Sequence, residues 1–132
     1  MSLLLDTYYV FALAGSPGRL TNRERGFLRD SPARFVVSTV SFWEMRLKWT
    51  ALHVSGDRKG PLDPAQAMRI LSGQQIDFLD LTPAHAVTPL NHPIPHGDPF
   101  DELLLVQAQI EGMKLLTRDA KLVGHPLAER AI

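Results

Sequence analysis

Short runs of leucine and β-branched residues recur along this chain, and stretches long enough for helices separate them. The runs are LLL at 3–5, FVVS at 35–38, IDFLDL at 76–81 and KLLT at 114–117. LLL and FVVS, short and apolar, read as strands covered on both faces, and the other two runs as further strands. Strands spaced by helical segments pair in parallel, because a parallel connection needs a crossover. The chain is therefore expected to be α/β, with a mostly parallel central sheet and helices on both faces.

The connecting segments fit that plan. Thr7–Ala14 reads as an apolar helix followed by a turn at Gly15–Gly18, and Asn22–Arg29 as a polar helix on the surface. Thr39 or Ser41 is expected to cap a helix running to about Ala51. Asp63 and Pro64 open another that reaches Ser72, and Thr82–Val87 forms a short one. Phe100–Glu111 is a strongly apolar helix closed by Gly112. His53–Pro61 reads as a polar loop, and Asn91–Pro99, with three prolines, cannot be regular structure. Ile76–Leu81 alternates as an edge strand does, Arg118–Leu122 is expected to form a turn of helix, and Glu129–Ile132 is the remaining candidate for a strand. With 132 residues and no repeat or linker, one domain over 1–132 is expected.

Composition narrows the chemistry. The chain has no cysteine, which excludes disulfides, thiolate nucleophiles and cysteine–zinc sites. Asp6 interrupts the apolar N-terminal run and no basic residue precedes it, which argues against a secretory signal. No apolar stretch approaches the roughly 20 residues that span a bilayer. A cytoplasmic protein with no membrane partner is expected. Fourteen basic residues balance fourteen acidic ones, which counts against nonspecific wrapping of nucleic acid. A nuclease departs from that rule, since cations in an acidic centre reverse the local sign.

In open parallel sheets, sites form at the carboxyl ends of the strands. Asp6 follows LLL directly, and Asp119 lies two residues beyond KLLT. Asp101 sits in the first turn of the long apolar helix, and Glu44 about one turn into the helix after FVVS. Four separate segments thus send a carboxylate toward one edge. Magnesium and manganese take such oxygen ligands, and without a cation so many anions would repel one another. Taken singly, Asp98, Asp101 and Asp119 read equally as helix caps, and Glu44 alone reads more readily as a solvated helix residue. Asp6 demands a partner, because an acid directly after a buried strand is costly. Arg46 and Lys48, Arg58 and Lys59, and Arg118 and Lys121 are candidate phosphate contacts or simply solvated charges. The HPIPH segment with His92 and His96 matches no metal-ligand spacing, His85 reads as a surface or packing residue, and the aromatic residues read as core.

LLLDT at the start, SFWEMRLK at Ser41–Lys48, DPFDELLLVQAQIEG at Asp98–Gly112 and LLTRDAKL at Leu115–Leu122 together resemble the PIN-domain family, and within it the VapC-type toxins of bacterial toxin–antitoxin pairs. The resemblance runs from residue 3 to about 125 in the family's order. It implies a three-layer α/β/α sandwich and a magnesium- or manganese-dependent endoribonuclease. It also implies a homodimer inhibited by a small antitoxin protein. Carried across, the catalytic acids and metal ligands are Asp6, Glu44, Asp101 and Asp119, with Asp98 as an outer ligand or an alternative to Asp101. Thr7 and Thr117 fall at supporting positions. Relatives often carry histidines where this chain has Tyr8 and Gly97. The competing expectation is a catalytically inactive PIN-like or receiver-like module that acts through protein contacts. A receiver is disfavoured, because it wants an acidic pair after the first strand.

Overall fold

The computed structural model describes residues 1–51, 62–95 and 97–131. The strands are β1 (Ser2–Leu5), β2 (Arg34–Ser38), β3 (Asp77–Leu79), β4 (Lys114–Leu116) and β5 (Ala128–Glu129). The helices are α1 (Thr7–Gly15), α2 (Asn22–Asp30), α3 (Thr39–Thr50), α4 (Pro64–Ser72), α5 (Pro83–Val87) and α6 (Pro99–Glu111), and one 3-10 turn covers Pro17–Arg19. The strands form one sheet in the order β3-β2-β1-β4-β5, and every pairing is parallel. β1 is central, with Leu3 registered against Phe35 on one side and Lys114 on the other.

Strand alternation sends side chains to two cores. Leu3, Leu5, Val37 and Leu116 pack with Tyr9, Val10, Met45 and Leu71 on one face. Leu4, Val36 and Leu115 pack with Val40, Leu104, Leu105 and Ala108 on the other. That is an α/β/α sandwich, and burial on both faces explains why the central strands carry no polar alternation. β3 is the edge strand its alternating sequence suggested, with Asp77 exposed.

Several local expectations need correction. The cap of α3 is Ser38, whose side chain accepts the Val40 amide at 3.0 Å, and neither Thr39 nor Ser41 fills that place. Ser38 ends β2 with extended backbone, so the strand runs into the helix without a spacer. No helix forms at 118–122, where turns begin at residue 120 and Leu122 donates to the Asp119 carbonyl three residues back. The closing strand is only Ala128–Glu129. α2 is not wholly a surface helix, because Glu24 is buried within it. Gly112 closes α6 at φ 70°, the left-handed conformation that glycine adopts without strain. The polar loop at 53–61, with Arg58 and Lys59, lies outside the described residues, as does His96.

Candidate metal centre

Asp6 sits where β1 turns into α1 and caps that helix, its Oδ1 accepting the Thr7 amide at 2.8 Å. Its Oδ2 accepts the Thr117 hydroxyl at 2.6 Å. Those bonds supply the partners that a carboxylate 7% exposed requires. Burial nevertheless holds its pKa above the usual value. The Thr117 and Thr7 bonds pull the other way, and the charges of Glu44 and Asp119 add to the rise.

Thr117 links two acids. Its hydroxyl donates to Asp6 and accepts the Asp119 amide at 3.0 Å. Asp119 in turn accepts the Lys121 amide at 2.9 Å, which turns the chain away from β4. Thr7 reaches across to α3, its hydroxyl 3.0 Å from that of Ser41. α3 carries Glu44, whose Oε2 lies 3.0 Å from Lys48 Nζ. Asp98 caps α6 by accepting the Phe100 and Asp101 amides at 2.9 and 3.3 Å. Asp98 is therefore a helix cap and also lines the cavity, and Asp101 follows in the first turn.

A cavity of about 580 Å³ receives all five acids: Asp6, Glu44, Asp98, Asp101 and Asp119. Thr7, Tyr8 and Phe11 line it as well, with Arg19, Lys48 and Arg118 as its basic members. The acids feel one another. Burial, followed by the charges of Asp6, Asp98, Asp119 and Glu44, raises the Asp101 carboxyl to about 7. Among the described residues, no three acidic or histidine side chains stand close enough together to enclose an ion. Magnesium commonly keeps several waters and one or two carboxylates, so a closed protein cage is not required of such a site. An all-oxygen donor set, mutually repelling around one cavity, fits a hard divalent cation.

The basic wall differs from expectation. Arg118 is bound rather than solvated: Nε and Nη2 donate to Glu24 at 3.1 and 2.6 Å, and Nη1 donates to Tyr8 Oη at 2.8 Å. Its guanidinium stacks 4.3 Å from the Tyr8 ring centroid. Tyr9 Oη donates to Glu24 at 2.6 Å. Burial alone would raise the Glu24 carboxyl. The bonds from Arg118, the Thr21 amide and Tyr9 outweigh it and bring the group to about 2. The sequence alone pointed to Tyr8 as a departure from relatives but gave no role to Glu24 or Arg19. The Thr21-x-x-Glu24 spacing of a capping box, which the structure contains, marked Glu24 as more than a surface charge. Arg46 lines a separate groove with Trp43 and Met68, and Lys121 does not line the cavity. Trp43, read as core, is 44% exposed. His92 packs edge-on against His125.

A family model described as the PIN domain matches residues 3–124. Among curated proteins, none matches the chain. Among solved structures, a toxin–antitoxin complex from Klebsiella pneumoniae is similar at 17% identity and TM-score 0.66, over 99% of this chain and 98% of that one. DNA-bound VapBC from Salmonella typhimurium is similar at 18% identity and TM-score 0.59, over 100% and 99%. VapBC2 from Rickettsia felis, bound to a promoter DNA fragment, is similar at 14% identity and TM-score 0.62, over 98% of each chain. At these identities the likeness concerns the fold.

Proposed function

The chain belongs to the PIN-domain family, and from that premise we propose that it is a magnesium- or manganese-dependent endoribonuclease, the toxin of a type II toxin–antitoxin pair. Asp6, Glu44, Asp101 and Asp119 are its catalytic acids and metal ligands, and Asp98 is an outer ligand. One observation carries this reading: carboxylates from distant parts of the chain line a single cavity at the carboxyl end of the central strands. A divalent cation bound there supplies a water of lowered pKa and neutralises charge on the phosphodiester during in-line displacement.

The chain's own groups divide the remaining work. Thr117 holds Asp6 in one orientation and fixes the backbone of Asp119 with the same hydroxyl. Thr7, through Ser41, ties the start of α1 to the helix bearing Glu44. Lys48 and Arg19 place positive charge on a cavity wall that carries five acids, where phosphates flanking the cut would approach. The three solved structures of similar fold are toxin–antitoxin complexes, which supports an antitoxin protein as partner; a homodimer as the working assembly is part of the same proposal. The proposed location is the cytoplasm, which both an RNA substrate and the lack of cysteine suit. No helix among the described residues is long and apolar enough to cross a membrane.

The test is cleavage of a structured RNA by the purified chain with magnesium, with EDTA, and by the Asp6→Asn variant. Cleavage with magnesium alone is expected, falling to background in the other two. Asp6→Asn cutting at the wild-type rate would remove Asp6 from the chemistry. Undiminished cleavage in EDTA would remove the metal.

A further inference from the structure

Three polar side chains that do not line the acid cavity are buried between α3, α5 and α6: Ser38, His85 and Gln107, at 0%, 1% and 0% exposure. Their hydrogen bonds assign one another's protons. Ser38 Oγ accepts the Val40 amide at 3.0 Å and donates its own proton to Gln107 Oε1 at 2.5 Å. The Gln107 NH2 group lies 3.3 Å from His85 Nδ1. That same Nδ1 accepts the Thr82 amide at 3.0 Å. Two donors face it, so the imidazole carries its proton on Nε2 and donates to Glu111 Oε2 at 2.9 Å. Apart from the Thr82 branch, the bonds point one way, from the N-terminus of α3 to the partly exposed Glu111 carboxylate. Hydrogen bonds aligned in series polarise one another, and a fully satisfied buried network specifies one arrangement of the elements it joins.

The elements joined are those that carry the acids. Glu44 lies six residues beyond Ser38 on α3, and Asp101 six residues before Gln107 on α6. Next to Glu44 and Asp101 in sequence, the Trp43 and Phe100 rings meet edge-on at 5.2 Å and tie the same two helices a second time. An apolar residue at 107 would fill the space but leave the relative setting of α3 and α6 to packing alone. We infer that the Ser38–Gln107–His85 chain is a positioning element that sets Glu44 against Asp101 and thereby the affinity of the cavity for a divalent cation. The inference rests on the metal reading proposed above.

Calorimetric titration of Mn²⁺ into the purified full chain tests it without turnover. Gln107→Leu and Ser38→Ala are expected to weaken Mn²⁺ binding about tenfold or more, as the loss of groups that orient ligands does. Ser38→Thr, which keeps the hydroxyl, should restore it. Leu71→Val, in α4 and apart from the chain, should lower the melting temperature without moving the affinity. If Gln107→Leu and Ser38→Ala melt lower yet bind Mn²⁺ as tightly as wild type, the chain only stabilises the fold and the inference is overturned. An equal loss in Leu71→Val overturns it too. Should Gln107→Leu fail to fold, the Ser38 pair decides. Nitrogen-resolved NMR of His85 should show the Nε2–H tautomer, and the Nδ1–H form would contradict the assigned polarity. Wild-type protein that binds no Mn²⁺ overturns the metal reading itself, an outcome separate from all of these.

Discussion

Glu24→Gln is the substitution whose effect the geometry bounds best. The carboxylate, 8% exposed, receives two hydrogen bonds from Arg118, one from Tyr9 and one from the Thr21 amide. Glutamine keeps the shape but removes the charge, and it turns an NH2 group toward a set of donors. Glu24 falls from an ordinary 4.5 to about 2 in the fold. At about 1.36 kcal/mol per pH unit, that difference is worth roughly 3 kcal/mol. Arg118 is 37% exposed, so water screens its share, and about 1–2 kcal/mol is the sounder expectation. For a chain of this size the variant should melt about 4–8 °C lower at pH 7. A carboxyl with a depressed folded pKa gives stability that is complete above its unfolded value and disappears as pH falls toward the folded one. The gap between wild type and variant, measured by urea unfolding, should hold from pH 7 to about 5 and shrink by roughly half near pH 3. A gap that stays constant down to pH 3, or none at pH 7, would refute the reasoning.

Asp6 and Asp101 titrate in the opposite sense. Their folded pKa values are raised, Asp101 to about 7, so the stability they give is complete below the ordinary 3.8 and is lost as pH rises toward 7. In EDTA the melting temperature should therefore fall between pH 5 and 7, and Asp101→Asn should flatten that slope in scanning fluorimetry. Equal slopes in the two proteins would discount the mutual repulsion. Thr117→Val removes the donor to Asp6 and the acceptor for the Asp119 amide. It should lower magnesium affinity or cleavage by about 10- to 100-fold with the circular dichroism spectrum retained. Wild-type values would reduce Thr117 to packing.

The architecture was legible because burial on both faces forces LLL, FVV and LL to be apolar throughout, and stretches of helical length separate these short runs. Asp6 was legible for a related reason: an acid at the end of a buried strand stands out against its neighbours, whereas Asp101, flanked by Asp98 and Glu102, read equally as a helix cap. Glu24 was harder to read: its capping-box spacing from Thr21 sets it apart, but the charge of TNRERGFLRD masks that this member is turned inward. Ser38 was read as the end of a strand, since a strand and a cap both use extended backbone. His85 and Gln107 meet only in three dimensions, 22 residues apart, and no local spacing records such a bond. Arg118 was noticed for its nearness to Asp119, while its pairing with Glu24, 94 positions away, depends on how α2 lies against the end of β4.

Of the five strands, β1 is made before the others and takes the middle of the sheet, yet its second neighbour is β4, registered from Lys114 onward. Until that late stretch is made, one edge of β1 has unpaired amides and carbonyls, and an open edge of that kind invites other chains. Pairing across so great a sequence separation is also the slow sort of folding step. Thr117 and Asp119 follow directly on β4, so the same event that covers the bare edge also closes the acid cavity. A growing or truncated chain that stops before Lys114 lacks both, and whatever chemistry the cavity performs begins only once translation has passed it.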